Sequence, residues 1–181
     1  MNLPARPRTD IAIRKTAYAI VFIALGVALS PFTSVPVGIA KINPTQHFLN
    51  VALATLLGPA WAFGGAGAMA LIRNLLGTGT VLAFPGGMIG ALFSGIAYRL
   101  TKSIPVAALA EVIGTGVFGS LAAALWVAPS FLGKTMSLLA MGASFGASSL
   151  AGAMIAMIAL GNLKKAGLLP RFERDGQKGR E

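Results

Sequence analysis

Between Ile11 and Leu163 the chain carries one acidic residue, Glu111, and in all 181 residues it has one histidine, His47. A carboxylate in an apolar setting is costly unless it is protonated, paired or hydrogen-bonded, so a lone acid there marks a binding site or a fixed structural pair. His47 is followed three residues later by Asn50. That spacing puts both on one helix face, where they offer donors and acceptors to a small polar ligand. A histidine at a helix start equally serves as a cap or simply faces water. Thr115 follows Glu111 by four residues, also on one face, and Ser144 and Ser148 form a similar but weaker pair, since hydroxyls in apolar helices mostly bond their own backbone. Arg73 and Asn74 stand together before a glycine-rich run, GTGTVLAFPGG (Gly77–Gly87). The arginine fork and the amide either line a pocket beneath that run or, for Arg73, reach out to lipid headgroups.

The chemistry these residues leave out is as informative. The run at Gly77–Gly87 lacks the lysine of a phosphate-binding loop, so no nucleotide site is implied, and it reads instead as a lid or gate whose glycines permit unusual backbone angles. One histidine and no cysteine cannot build a His- or Cys-rich metal site. No nucleophile–base pair and no ATPase motif is present. Neither a cofactor nor a metal is expected, and the chain is not expected to be an enzyme.

The elements that must position these groups are membrane helices. The chain is 55% hydrophobic and 11% charged, where soluble domains are about 25% charged. A span needs roughly 20 mainly apolar residues to cross a hydrocarbon core of about 30 Å. Six fit: Ile11–Pro31, Gln46–Gly58, Ala60–Leu76, Met88–Leu100, Pro105–Val127 and Thr135–Leu163. The second and fourth are short, and Thr45 is the expected N-cap of the second. Gly58-Pro59 is a pair that stops one helix and starts the next. The positively charged start resembles a signal peptide, but its apolar stretch is long and further spans follow, so it reads as a retained first span. The fold class is therefore all-α: a polytopic membrane protein with six transmembrane helices, with residues 1–10 and 164–181 as polar ends of one membrane domain.

Charge placement sets the orientation. With the N-terminus inside, twelve lysines and arginines (Arg6, Arg8, Arg14, Lys15, Arg99, Lys102, Lys164, Lys165, Arg171, Arg174, Lys178, Arg180) fall on the cytoplasmic side, against Lys41, Arg73 and Lys134 outside. Both termini are thus expected in the cytoplasm of a cell with this protein in its plasma membrane. The net charge of +10 does not imply nucleic acid, because the cations flank apolar segments instead of forming an aromatic-studded face. On these boundaries Glu111 and Arg73 differ in depth by roughly 14 Å at 1.5 Å per residue, so a direct pair requires a boundary to move by about a turn. His47, at the start of the second span, is expected at a depth opposite to that of Glu111.

The first span has Thr16, Ile20, Ala24 and Ala28 at four-residue steps with Gly26 beside them. Small residues on one stripe let another helix approach closely, whether a neighbour in the same chain or a partner subunit.

Three runs, SPFTSVPVGIAKINPTQHFLN (Ser30–Asn50), LIRNLLGTGTVLAFPGGMIGALFSGIAYR (Leu71–Arg99) and AEVIGTGVFG (Ala110–Gly119), occur in the order and form that resemble the ThiW family, membrane-embedded substrate-specific (S) components of energy-coupling factor (ECF) transporters. The resemblance covers the body from the first helix to the fifth. It implies a six-helix subunit that captures a thiamine precursor, hydroxyethylthiazole, from outside the cell. It also implies partners: a shared transmembrane coupling subunit, docked through the Ala24 and Ala28 stripe, and two separate ATPase subunits. A neutral thiazole alcohol asks for an apolar or aromatic wall, a donor for the ring nitrogen and a partner for the hydroxyl. His47, Asn50, Asn74, Glu111 and Thr115 are the candidates for polar contacts. Arg73 joins them, above all for a phosphorylated ligand, and Phe84 is the candidate ring cover. The competing readings are a gradient-driven transporter, which would want an internal repeat and more intramembrane ionisable groups, an S component for another vitamin, and a membrane enzyme.

Overall fold

The computed structural model describes residues 8–37 and 40–170; of the charges used above for orientation, Arg6, Arg171, Arg174, Lys178 and Arg180 lie outside the described residues. Six helices account for nearly all of it: α1 Arg8–Thr33, α2 Pro44–Leu57, α3 Pro59–Leu75, α4 Ala83–Thr101, α5 Ile104–Leu132 and α6 Leu138–Lys165. Between α1 and α2 the chain makes a short antiparallel hairpin, β1 Val35–Val37 with β2 Ala40–Ile42, in which Pro36 stands opposite Lys41. Three of the helices, α1 from Asp10, α5 and α6, are long and apolar enough to cross a membrane, with mean hydropathies of 1.8, 1.7 and 1.7 over their best stretches. Large apolar side chains stand exposed on them, Phe32, Trp126 and Leu139 among them, a surface suited to lipid and not to water.

The helix at the centre is the shortest. α2 packs against all five of the others, and Asn50, Val51, Ala52 and Leu53 are each completely enclosed. A helix buried over most of its length belongs to the core, and α2 is one, with its polar Gln46, His47 and Asn50 buried too. Its 14 residues span about 21 Å at 1.5 Å each, well short of a bilayer core. The hairpin leads directly into the first turn of α2.

Asn43, not Thr45, caps that start. Its side-chain oxygen accepts from the Gln46 amide at 3.1 Å, its amide nitrogen donates to the Ser30 and Ser34 hydroxyls at 2.7 and 2.9 Å, and its backbone N–H donates to Ser148 Oγ at 2.8 Å. One buried residue thus joins the end of α1, the start of α2 and the middle of α6. At the other end of α2, Gly58 takes a φ of +99°, which ends the helix and lets Pro59 open α3 at once.

Two further departures concern α4 and α5. The FPGG segment, expected in a loop, is the first turn of α4. Pro85 sits within that turn, where its missing N–H has no helical partner to lose. α5 continues past the expected Val127 to Leu132 and widens into π-helical turns at Gly114–Gly119 and Ala123–Val127. Its glycines allow this: a Cβ at Gly119 would lie 2.6 Å from the α carbon of Gly86, and one at Gly114 2.9 Å from that of Gly90, so α4 and α5 touch backbone to backbone.

Candidate functional site

At the hairpin end of the bundle a cleft opens with an empty volume of about 430 Å³, its open mouth included. α2 brings Gln46 and His47, α3 brings Arg73, and α4 brings Ala83, Gly86 and Gly87. α5 adds Thr115, α6 adds Phe145 and Ser148, and the connecting segments contribute Lys41, Asn43 and Thr80. Behind it lies the lone acid. Glu111 is fully enclosed, and its Oε1 is approached by His47 Nδ1 at 2.8 Å, Asn50 Nδ2 at 3.0 Å and Thr115 Oγ1 at 3.3 Å. The Asn50 Nδ2 group can only donate, which makes Oε1 an acceptor, and Nδ1 of His47 shares a hydrogen bond with the same oxygen. That leaves Nε2 as the remaining polar atom of a ring that lines the cleft. Glu111 Oε2 and Asn50 Oδ1 have no partner among the described residues.

The expected difference in depth between His47 and Glu111 is thereby corrected. His47 lies ten positions before Leu57, the end of α2, and Glu111 seven after Ile104, the start of α5. Both ends are at the same face of the bundle, so the two side chains meet near mid-depth. The expectation failed because it treated α2 as a full span, whereas α2 has 14 residues and its first turn lies level with Glu111. The open question of an Arg73–Glu111 pair is also answered: Arg73 turns to Gln46, donating from Nη1 to Oε1, and its Nε has no partner among the described residues.

The remaining candidates divide. Thr115 lines the cleft and its hydroxyl also reaches the Gly86 carbonyl at 3.0 Å. Asn50 lies behind the wall, its amide spanning Glu111 and the Gly87 carbonyl at 3.1 Å. Asn74 shapes the rim: it donates to the carbonyls of Ala70 (2.8 Å) and Thr80 (3.0 Å) and so ties α3 to the turn that follows. Lys41 donates to the Thr78 carbonyl at 3.0 Å, joining the hairpin to that same turn. Phe84 is on α4 and is not part of the cleft wall; the aromatic wall is Phe145, packed against Gly86. Ala24 and Ala28 face outward from α1, whereas Gly26 faces inward onto Met69 and Leu49.

Sequence reasoning missed Gln46, Asn43, Lys41, Thr80 and Phe145. Phe145 sits between Ser144 and Ser148, a pair that had drawn attention to this stretch of α6. Gln46 adjoins His47, but its role depends on Arg73, 27 residues away, and no local pattern signals that.

The geometry delimits a small polar cleft backed by a buried acid, in a helical membrane protein. Comparison with protein families matches residues 16–166 to ThiW, described as a thiamine-precursor transporter protein. The chain belongs to the ThiW family. It is thus a membrane transporter of a thiamine precursor, and the match runs through all six helices. No curated protein and no solved structure matches it, so the ThiW assignment stands on the family match and the membrane-helix architecture.

Proposed function

We propose that the chain is the S component of an ATP-driven ECF importer, one that captures hydroxyethylthiazole in the cleft at the hairpin end, with that end outside the cell and both termini in the cytoplasm. The observation that carries the reading is the His47–Glu111 pair at the cleft wall. A carboxylate anchored by three donors fixes the ring and leaves Nε2 to accept from the substrate hydroxyl. Phe145 offers a face for the thiazole, and Thr115 and Gln46 supply donors within reach of a ring nitrogen. Glu111 and Asn50 act through His47 and the α4 backbone, while Lys41 at the exposed rim and Arg73 in the buried wall place positive charge where a phosphate ester would sit. Ala24 and Ala28 form the docking stripe for the coupling subunit: α1 has only 17% of its most apolar stretch buried, so this face is open to a partner helix. Two ATPase subunits supply the energy, and this chain catalyses nothing.

The test is thermal stabilisation of the detergent-purified chain by hydroxyethylthiazole, its phosphate ester, thiamine and the pyrimidine precursor. A ligand at 100 times its Kd adds about 2.7 kcal/mol. The alcohol should stabilise, and His47→Ala should abolish the shift. A response to the phosphate ester alone would move the assignment to the charged form, and silence from all four would remove the substrate reading. Ala24→Leu with Ala28→Leu should prevent co-purification with the coupling subunit yet leave ligand binding intact. Uptake by the chain without any coupling subunit would instead point to a gradient-driven transporter.

A further inference from the structure

The opposite end of the bundle holds a second and larger cleft, with an empty volume of about 1520 Å³ including its open mouth. It forms where α1 begins, where α2 gives way to α3 at Gly58-Pro59, and where α4 and α6 end. Four cations line it from three helices and a linker: Lys15, Arg99, Lys102 and Lys164. Among the described residues no acidic side chain does. Lys102, just past α4, adopts a left-handed backbone (φ 54°), and Lys164 Nζ approaches its carbonyl at 3.4 Å. The side chains of Lys15, Arg99 and Lys102 have no partner among the described residues. α3 also opens here, so its positive N-terminal end adds to the same field. Leu56, Leu57, Leu169 and Pro170 give the cleft an apolar wall beside its charges.

We propose that this cleft binds a phosphate group, held as the headgroup of an anionic phospholipid. Four like charges without a counter-charge among the described residues repel one another, and a phosphate relieves that repulsion while accepting several N–H donors at once. The apolar wall favours an amphiphile over a free ion, and the cations stand at the ends of apolar helices, the level at which headgroups lie. Basic pockets between helices at a membrane face suit such headgroups. The chain's own continuation is a poor substitute, because residues 171–181 carry four cations and three acids and offer no net negative charge.

The full chain would be placed in nanodiscs of phosphatidylcholine, with cardiolipin or phosphatidylglycerol added in increasing fraction, and bound lipid counted by native mass spectrometry. A parallel arm adds inorganic phosphate and pyrophosphate to the zwitterionic discs. Retention of anionic lipid is expected, weakened about five-fold by each of Arg99→Gln, Lys102→Gln and Lys164→Gln. All three residues are exposed, so folding should be undisturbed, and Lys134→Gln in the loop at the far end should change nothing. Binding of soluble pyrophosphate with the same sensitivity would keep the phosphate site and assign it to a free anion. No preference for anionic over zwitterionic lipid, or equal loss on Lys134→Gln, overturns the proposal. So does protection of these cations only in an assembled transporter, which would place an acidic protein surface there.

Discussion

The two clefts use polar residues in opposite ways. At the hairpin end the groups are buried and committed: Arg73 is 2% exposed and His47 6%, and each is held by another side chain. At the basic end the cations are long, mostly exposed and held by little more than one 3.4 Å contact. A buried network is costly to assemble but fixes directions, which suits recognition of one small molecule. An exposed cluster of flexible cations fixes charge and little else, which suits a headgroup whose chemistry is shared by many lipids. Enclosure produces the contrast. The first cleft draws on the first turn of α2, the last turn of α3 and the interior of α5, all within the packed bundle, and the second on helix ends that stand exposed.

Substitutions that break the committed end should cost the most. Glu111→Ala removes the acceptor shared by three buried donors and should lower unfolding stability by about 3–5 kcal/mol, measured by denaturation in mixed micelles. A loss below about 1 kcal/mol would mean that the network holds little together. Gly90→Ala comes next. A Cβ there would collide with the Thr115 hydroxyl and stand 2.9 Å from the Glu111 carboxyl, so about 1–3 kcal/mol should be lost, together with ligand binding. Asn43→Ala removes the cap of α2 and should cost about 1 kcal/mol through that bond alone, read as a lower melting temperature. Lys164→Gln, at the uncommitted end, should leave the melting temperature in zwitterionic detergent unchanged and reduce only anionic lipid retention. If it instead destabilised the bare protein as much as Asn43→Ala does, the two ends would not differ in kind.

Much of this was legible in the sequence. Apolar length and the Gly58-Pro59 break locate all six helices, because burial of the backbone in lipid leaves helices as the one economical solution for such segments. The singularity of Glu111 and His47 pointed to the residues that meet, and cation placement separated the two ends. Depth was not legible. It depends on a central helix too short to follow the usual rule of one span per bilayer, preceded by a hairpin whose three-residue strands give no periodic signal. The FPGG segment misled for a related reason: glycine and proline are loop residues in isolation, but here proline falls in a first turn and the glycines serve close packing. The π-helical turns of α5 leave no mark in composition, and Phe145 and Gln46 enter the site only through tertiary contact.

Gly90 has a consequence for how the protein can change. The carboxyl of Glu111 and the hydroxyl of Thr115 occupy the space where any other residue at position 90 would carry its first carbon. The spacing between α4 and α5 and the location of the acid are therefore a single mechanical variable. A motion that parts these two helices would withdraw the wall behind His47, release the ring from its anchor and weaken the hold on whatever the cleft contains. Loading and release could then share one hinge, with helix separation acting as the latch.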